Sequence, residues 1–195
     1  MATWFTADLH FGHHNIIKYC DRPFSDVGAM NDALIQGWNG VVAEGDTVWI
    51  IGDFALGKIA ETLPLVAELH GHKILVAGNH DRCWSGHGQR AEGWTERYLD
   101  AGFDRIVQGS TTTDIGGEHV RLCHFPYRGD SHDQDRFESY RPVDNGEWLL
   151  HGHVHEHWAQ DGRMINVGVD VTEFRPISID DVAAVIRTGP AERAT

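Results

Sequence analysis

Short apolar runs alternate with segments of helical spacing through the first half of the chain. Residues 3–7, 47–51 (TVWII) and 73–77 (KILVA) have the length and β-branched content of buried strands. Between the first two, Val27, Met30, Leu34, Ile35, Trp38, Val41 and Val42 recur at helical intervals, which predicts a helix over 27–42 capped by Ser25 or Asp26. Gly37 and Gly40 weaken that helix by about 1 kcal/mol each relative to alanine. Residues 59–69 read as helix, regular from near Thr62 because Pro64 suits only a first turn. Residues 89–99 read as another helix. Beyond it the period changes to that of strands. Residues 105–108, 110–115 and 119–123 predict consecutive strands, with Gly116 and Gly117 as a hairpin turn. Residues 148–150 and 164–167 add two more, and 179–186 reads as a strand passing into a final helix. The first half is βαβαβ and the second strand-rich, which predicts an α/β (α+β) layered domain with a mixed sheet or two sheets. No repeat or linker divides the chain. The expectation is one domain over 1–187 and a short polar tail, 188–195.

Composition narrows this picture. The 195 residues are 41% hydrophobic and 23% charged, which is globular. No apolar stretch approaches the roughly 20 residues needed to cross a bilayer, and no leader is visible, so no membrane partner is expected. Sixteen basic and 29 acidic residues give a net charge of −13. Strong nonspecific binding to nucleic acid needs a basic footprint and is not expected. The cysteines, Cys20, Cys83 and Cys123, form no CxxC pair, which fits a reducing cytoplasmic setting. Fourteen histidines amid an excess of acid point toward metal binding.

The chemistry sits where predicted strands end. Asp8 and His10 follow the first, Asp53 the second, Asn79-His80-Asp81 the third, His124 a fourth and His153 with His155 a fifth. In extended backbone, residues two apart face one side, so Asp8/His10 and His153/His155 can each face one ion. Strand carboxyl ends are the usual ligand sites of open α/β sheets. Asp8, His10, Asp53, Asn79, His124, His153 and His155 are too many donors for one tetrahedral ion. They suit two ions sharing a carboxylate, a standard device for phosphoryl hydrolysis. Four cationic charges would also draw an anionic substrate to an acidic protein.

The ordered set DLH, GDF, GNHD, a lone histidine and GHVH resembles the calcineurin-like metallophosphoesterase family over residues 8–155, with NVGVDV (166–171) similar to its small bacterial and phage members. The resemblance implies a two-sheet mixed β-sandwich flanked by helices in four layers. It implies one ion on Asp8, His10, Asp53 and His155 and another on Asp53, Asn79, His124 and His153. It implies that His80 lies near the leaving group and that Asp81 hydrogen-bonds it. The implied reaction is hydrolysis of a phosphodiester or phosphomonoester by a metal-bound hydroxide, with Mn²⁺ a common activator; mixed N/O donors also accept Fe, Co, Ni or Zn. Arg22, Arg82, Arg128 and His13 are candidate substrate contacts, and His14 and His151 candidate neighbours of the site. The expected partner is a small phosphorylated molecule, nucleotides included. A nuclease or RNA-end phosphatase or cyclic phosphodiesterase, and a non-catalytic binding scaffold, are the competing readings.

Overall fold

The structure, a computed structural model, describes residues 1–192; residues 193–195 of the expected tail lie outside it. Strands β1 (Thr3–Thr6), β2 (Thr47–Ile50), β3 (His72–Val76), β4 (Arg105–Val107) and β10 (Ile177–Ser178) form one sheet in the order β10-β1-β2-β3-β4. The four from β1 to β4 run parallel, and β10 is antiparallel to β1. The second sheet has the order β5-β6-β7-β9-β8, from β5 (Ser110–Ile115), β6 (Glu118–Cys123), β7 (Trp148–His151), β8 (Gln160–Asp161) and β9 (Met164–Asn166). Here β6, β7 and β9 are parallel, while β5 and β8 are antiparallel edges.

Alternation along the strands explains the sandwich. Phe5 and Val76 from the first sheet meet Val120, Leu122, Leu150 and Ile165 from the second in one buried cluster. Their neighbours Val48, Ile50 and Leu75 face the other way, into a cluster with Met30, Leu34 and Trp38 of helix α2 (Val27–Asn39), which follows the short helix α1 (Ile16–Tyr19). Asp26 caps α2 by accepting from the Ala29 N–H at 2.9 Å. Helix α5 (Ile179–Thr188), capped by Ser178, inserts Val182, Ala183 and Ile186 into the inter-sheet core.

Several elements differ from the sequence reading, each for a local reason. Residues 59–69 hold one α-helical turn, α3 (Ile59–Thr62), then a 3-10 run, Leu63–Glu68, so the regular part ends rather than begins at Thr62. Pro64 lacks the N–H that would continue an α-helix. Residues 85–91 are a kinked 3-10 run, and α4 (Trp94–Ala101) starts only after Gly93 at φ 71°. The hairpin at Gly116 and Gly117 forms with φ 62° and 90°, the positive values its turn requires. Strands β4 and β5, consecutive in sequence, are not paired: the chain changes sheets between them.

Candidate metal centre

Because β1, β2 and β3 are parallel, as are β6 and β7, their carboxyl ends share a direction, and the turns that follow meet. Backbone hydrogen bonds stitch these turns together: Asp8 N–H to Gly52 O (3.0 Å), His10 N–H to Asp53 O (3.0 Å) and Gly152 N–H to His124 O (3.1 Å). The backbone is not the extended ribbon that spacing by two implied. Asp8, His10, Asp53, His153 and His155 all have φ between 50° and 73°, in the left-handed region. Convergence thus comes from left-handed turns, a conformation that costs a non-glycine residue of order 1–3 kcal/mol. At Gly52, φ is 87° and an added Cβ would strike His124 Nδ1, so only glycine lets the turn close over that ring.

The donors form two overlapping groups. Asp8, His10 and His155 place one ligand atom each within 4.8 Å of one another, as do Asp8, Asp53 and His124. His10 Nε2 and His155 Nε2 stand 3.2 Å apart. Burial holds both rings below the ordinary imidazole pKa, His155 at about 3, so they face each other uncharged. His124 donates Nδ1–H to Ile51 O at 2.9 Å, and its Nε2 points at Asp53 Oδ2 (3.4 Å) and Asn79 Oδ1 (3.1 Å). Burial opposes charge on His124, yet the Asp53 carboxylate outweighs it and lifts the ring to about 9. Burial also opposes charge on Asp53, but His124 and His80 together hold it well below the usual carboxylate range. Asp8 is pushed up to about 8, chiefly by burial. One of its oxygens accepts the His153 N–H at 2.9 Å; the other, Oδ1, is buried with no hydrogen-bond partner among the described residues, 3.9 and 3.8 Å from the Nε2 atoms of His10 and His155. An orphaned carboxylate oxygen beside two facing imidazole nitrogens fits a divalent cation, and the N/O donor set suits a borderline or hard ion. A third group, Cys20, His155 and Glu156, is as closely set, but burial pushes the Cys20 thiol far up and away from the thiolate a metal needs.

The family model described as a calcineurin-like phosphoesterase superfamily domain matches residues 1–174. The chain belongs to that superfamily. The uncharacterized protein MJ1445 of Methanocaldococcus jannaschii is 31% identical over 196 residues, spanning 96% of this chain and 92% of its own. The Gene 66 protein of Mycobacterium phage L5 is 33% identical over 198 residues, spanning 92% and 91%. The crystal structure of the protein of unknown function AQ665 from Aquifex aeolicus aligns with a TM-score of 0.71 and 25% identity over 94% of this chain and 98% of that one.

Around this calcineurin-like centre the remaining candidates separate. His80 is exposed at the rim: its Nε2 lies 4.0 Å from Asp53 Oδ2, and its backbone N–H donates to Asp53 Oδ1 at 2.8 Å. Asp81 does not bond to the His80 ring, which corrects that expectation. Its fully buried carboxylate accepts the N–H groups of Asp53 (2.9 Å), Phe54 (3.0 Å) and Gly78 (2.9 Å), tying the second and third turns together. Burial and the Asp53 charge raise it to about 7. Arg22 faces inward, not toward a substrate: Nε and Nη2 grip Asp170 at 2.7 and 2.8 Å, and Nη2 and Nη1 donate to the carbonyls of Asp8 (2.8 Å) and Leu9 (3.1 Å). Arg128 pairs with Asp161 at 2.7 Å and lines a separate cavity that contains none of the ligand candidates. Arg82 borders the His80 rim. The His13 ring centre lies 5.3 Å from that of His10, and its Nδ1 is buried with no hydrogen-bond partner among the described residues. His151 is buried against Trp158 at 4.7 Å, its Nδ1 on Gly152 O. His14 is exposed. Sequence reasoning missed Asp130, which accepts from His153 Nε2 at 2.9 Å and is itself held by Arg136 (2.7 Å). It also missed Asp170 and Asn166, whose amide donates to the His155 carbonyl at 2.7 Å.

Proposed function

We propose that this calcineurin-like phosphoesterase holds two divalent ions and hydrolyses a phosphomonoester or phosphodiester of a small molecule. One observation supports the paired centre above others: Asp53 Oδ2 lies between two imidazoles, 3.7 Å from His10 Nε2 and 3.4 Å from His124 Nε2. Asp8, His10, Asp53 and His155 would hold one ion. Asp53, Asn79, His124 and His153 would hold the other. When bound, the ions supply Lewis acidity to phosphoryl oxygens and lower the pKa of a coordinated water.

The protein's own groups prepare that chemistry. The Nδ1–H bond to Ile51 O leaves Nε2, beside Asp53 and Asn79, as the His124 nitrogen that would bind an ion, while Asp130 holds Nε2 of His153, so Nδ1 is the nitrogen that ring would offer. Asp81 fixes the backbone that carries Asp53. His80 stands at the open rim, where its ring can reach a leaving oxygen and give it a proton.

A grid tests the reading: chelated protein reloaded with Mn²⁺, Zn²⁺, Ni²⁺ or Mg²⁺, crossed with monoester, diester, cyclic and dinucleotide phosphates. Turnover restored by metal, with Mn²⁺ among the activators, is expected. Undiminished turnover by the chelated protein contradicts the proposal, as does silence across the whole grid.

A further inference from the structure

Beside His80 the surface sinks into a cavity of about 290 Å³, at the small end for a ligand pocket. Asn79, His80, Arg82, His87 and Arg90 line it together with Leu56. No acidic residue lines it, in a chain carrying 29 acids against 16 bases. Among the described residues, neither Arg82 nor Arg90 has a carboxylate within 4.0 Å, whereas six other arginines do. Arg82 is braced by the Trp94 ring, 5.6 Å from its Cζ, which restricts the side chain without neutralising it. Two uncompensated guanidinium groups in one concavity are an anion trap, and the fork geometry of arginine favours phosphate oxygens.

We propose that this cavity is a second phosphate subsite, and that the substrate carries at least two phosphoryl groups: one hydrolysed at the centre and one held by Arg82 and Arg90. This rests on the phosphoesterase reading for the hydrolysed group, but the subsite stands on its own geometry. Asn79 joins the two places, since its amide oxygen meets His124 Nε2 at 3.1 Å while the residue also walls the cavity. Because Asn79 borders both places, the phosphoryl group held there would belong to the same molecule as the reacting one, as in a phosphoanhydride or a bisphosphate.

Calorimetric titration of metal-free protein with inorganic pyrophosphate tests the subsite without turnover. Measurable binding is expected, weakened about ten- to hundredfold in the double variant Arg82→Gln/Arg90→Gln, because charge-assisted contacts are lost. Both side chains are exposed, so folding should persist, and a thermal melt checks this. Arg105→Gln, which removes the same charge on the exposed edge strand, should bind as wild type. No binding, or equal binding by the double variant, overturns the proposal. In the Mn²⁺-loaded enzyme the double variant should lose at least tenfold more kcat/KM on bisphosphate substrates than on monophosphates; equal losses would also overturn it. Pyrophosphate binding without turnover of any ester would sink the phosphoesterase reading and leave the anion subsite in place.

Discussion

Arg22 spends each of its three guanidinium nitrogens inside the protein, on Asp170, the carbonyls of Asp8 and Leu9, and the Met30 sulfur. It is 3% exposed, so this pair is dry. Burial keeps Asp170 above the ordinary carboxylate value even with Arg22 beside it. Removing one member of a buried pair costs about 3–5 kcal/mol, and Arg22→Leu should fall near 3 because Asp170 can take up a proton. Urea unfolding measures this; a loss below about 1 kcal/mol would show that the clamp does not hold the first turn. His80 differs in kind, exposed and aimed at the rim. His80→Asn should damage hydrolysis of an ester with a poor leaving group more than that of a nitrophenyl ester, by about 10²-fold or more if proton donation is lost. Equal losses on the two esters would leave His80 an electrostatic role only.

At the scale of elements, Asp46 ties the start of β1 to the loop before β2. Its carboxylate accepts from Ala2 N–H (2.7 Å), Trp4 Nε1–H (3.1 Å) and Ala43 N–H (3.1 Å). These donors, the Ala2 N–H foremost, hold its pKa below the usual value. A depressed folded pKa gives stability that is present above the unfolded value of about 4 and is lost as pH falls through the folded one. Asp46→Ala should therefore lower the melting temperature at pH 7, and the gap to wild type should narrow in acid; a gap constant with pH would contradict the account. Core strands such as TVWII and KILVA, and the motifs after them, were legible because each is contiguous and ends on a turn residue. The breaks at Pro64 and Gly93 displaced two helix boundaries, because a kink depends on where the next turn packs. The two-residue β8 carries no period to read. Asp130 was not legible, and Asp170 was seen only as part of the NVGVDV segment with no role attached, because their partners lie 23 and 148 residues away and nothing local marks an acid as the brace of a distant histidine or arginine.

For the whole molecule, two sheets of different composition deliver their parallel strand ends to one place. The first brings Asp8, His10, Asp53 and Asn79; the second brings His124, His153 and His155. The site therefore exists only when the sandwich is closed, and cations that bind it should favour the folded state. No described helix is long and apolar enough to cross a membrane. Four added positive charges would offset part of the net −13 where an anion must approach. In the proposed paired centre Asp53 would serve two cations at once. Titration of metal-free protein with Mn²⁺, read by calorimetry and checked by elemental analysis, puts this to the test. Two equivalents should bind the wild type, with weakened occupancy of both in Asp53→Ala. A single equivalent in the wild type, or a variant that loses one ion while keeping the other at full affinity, would contradict it.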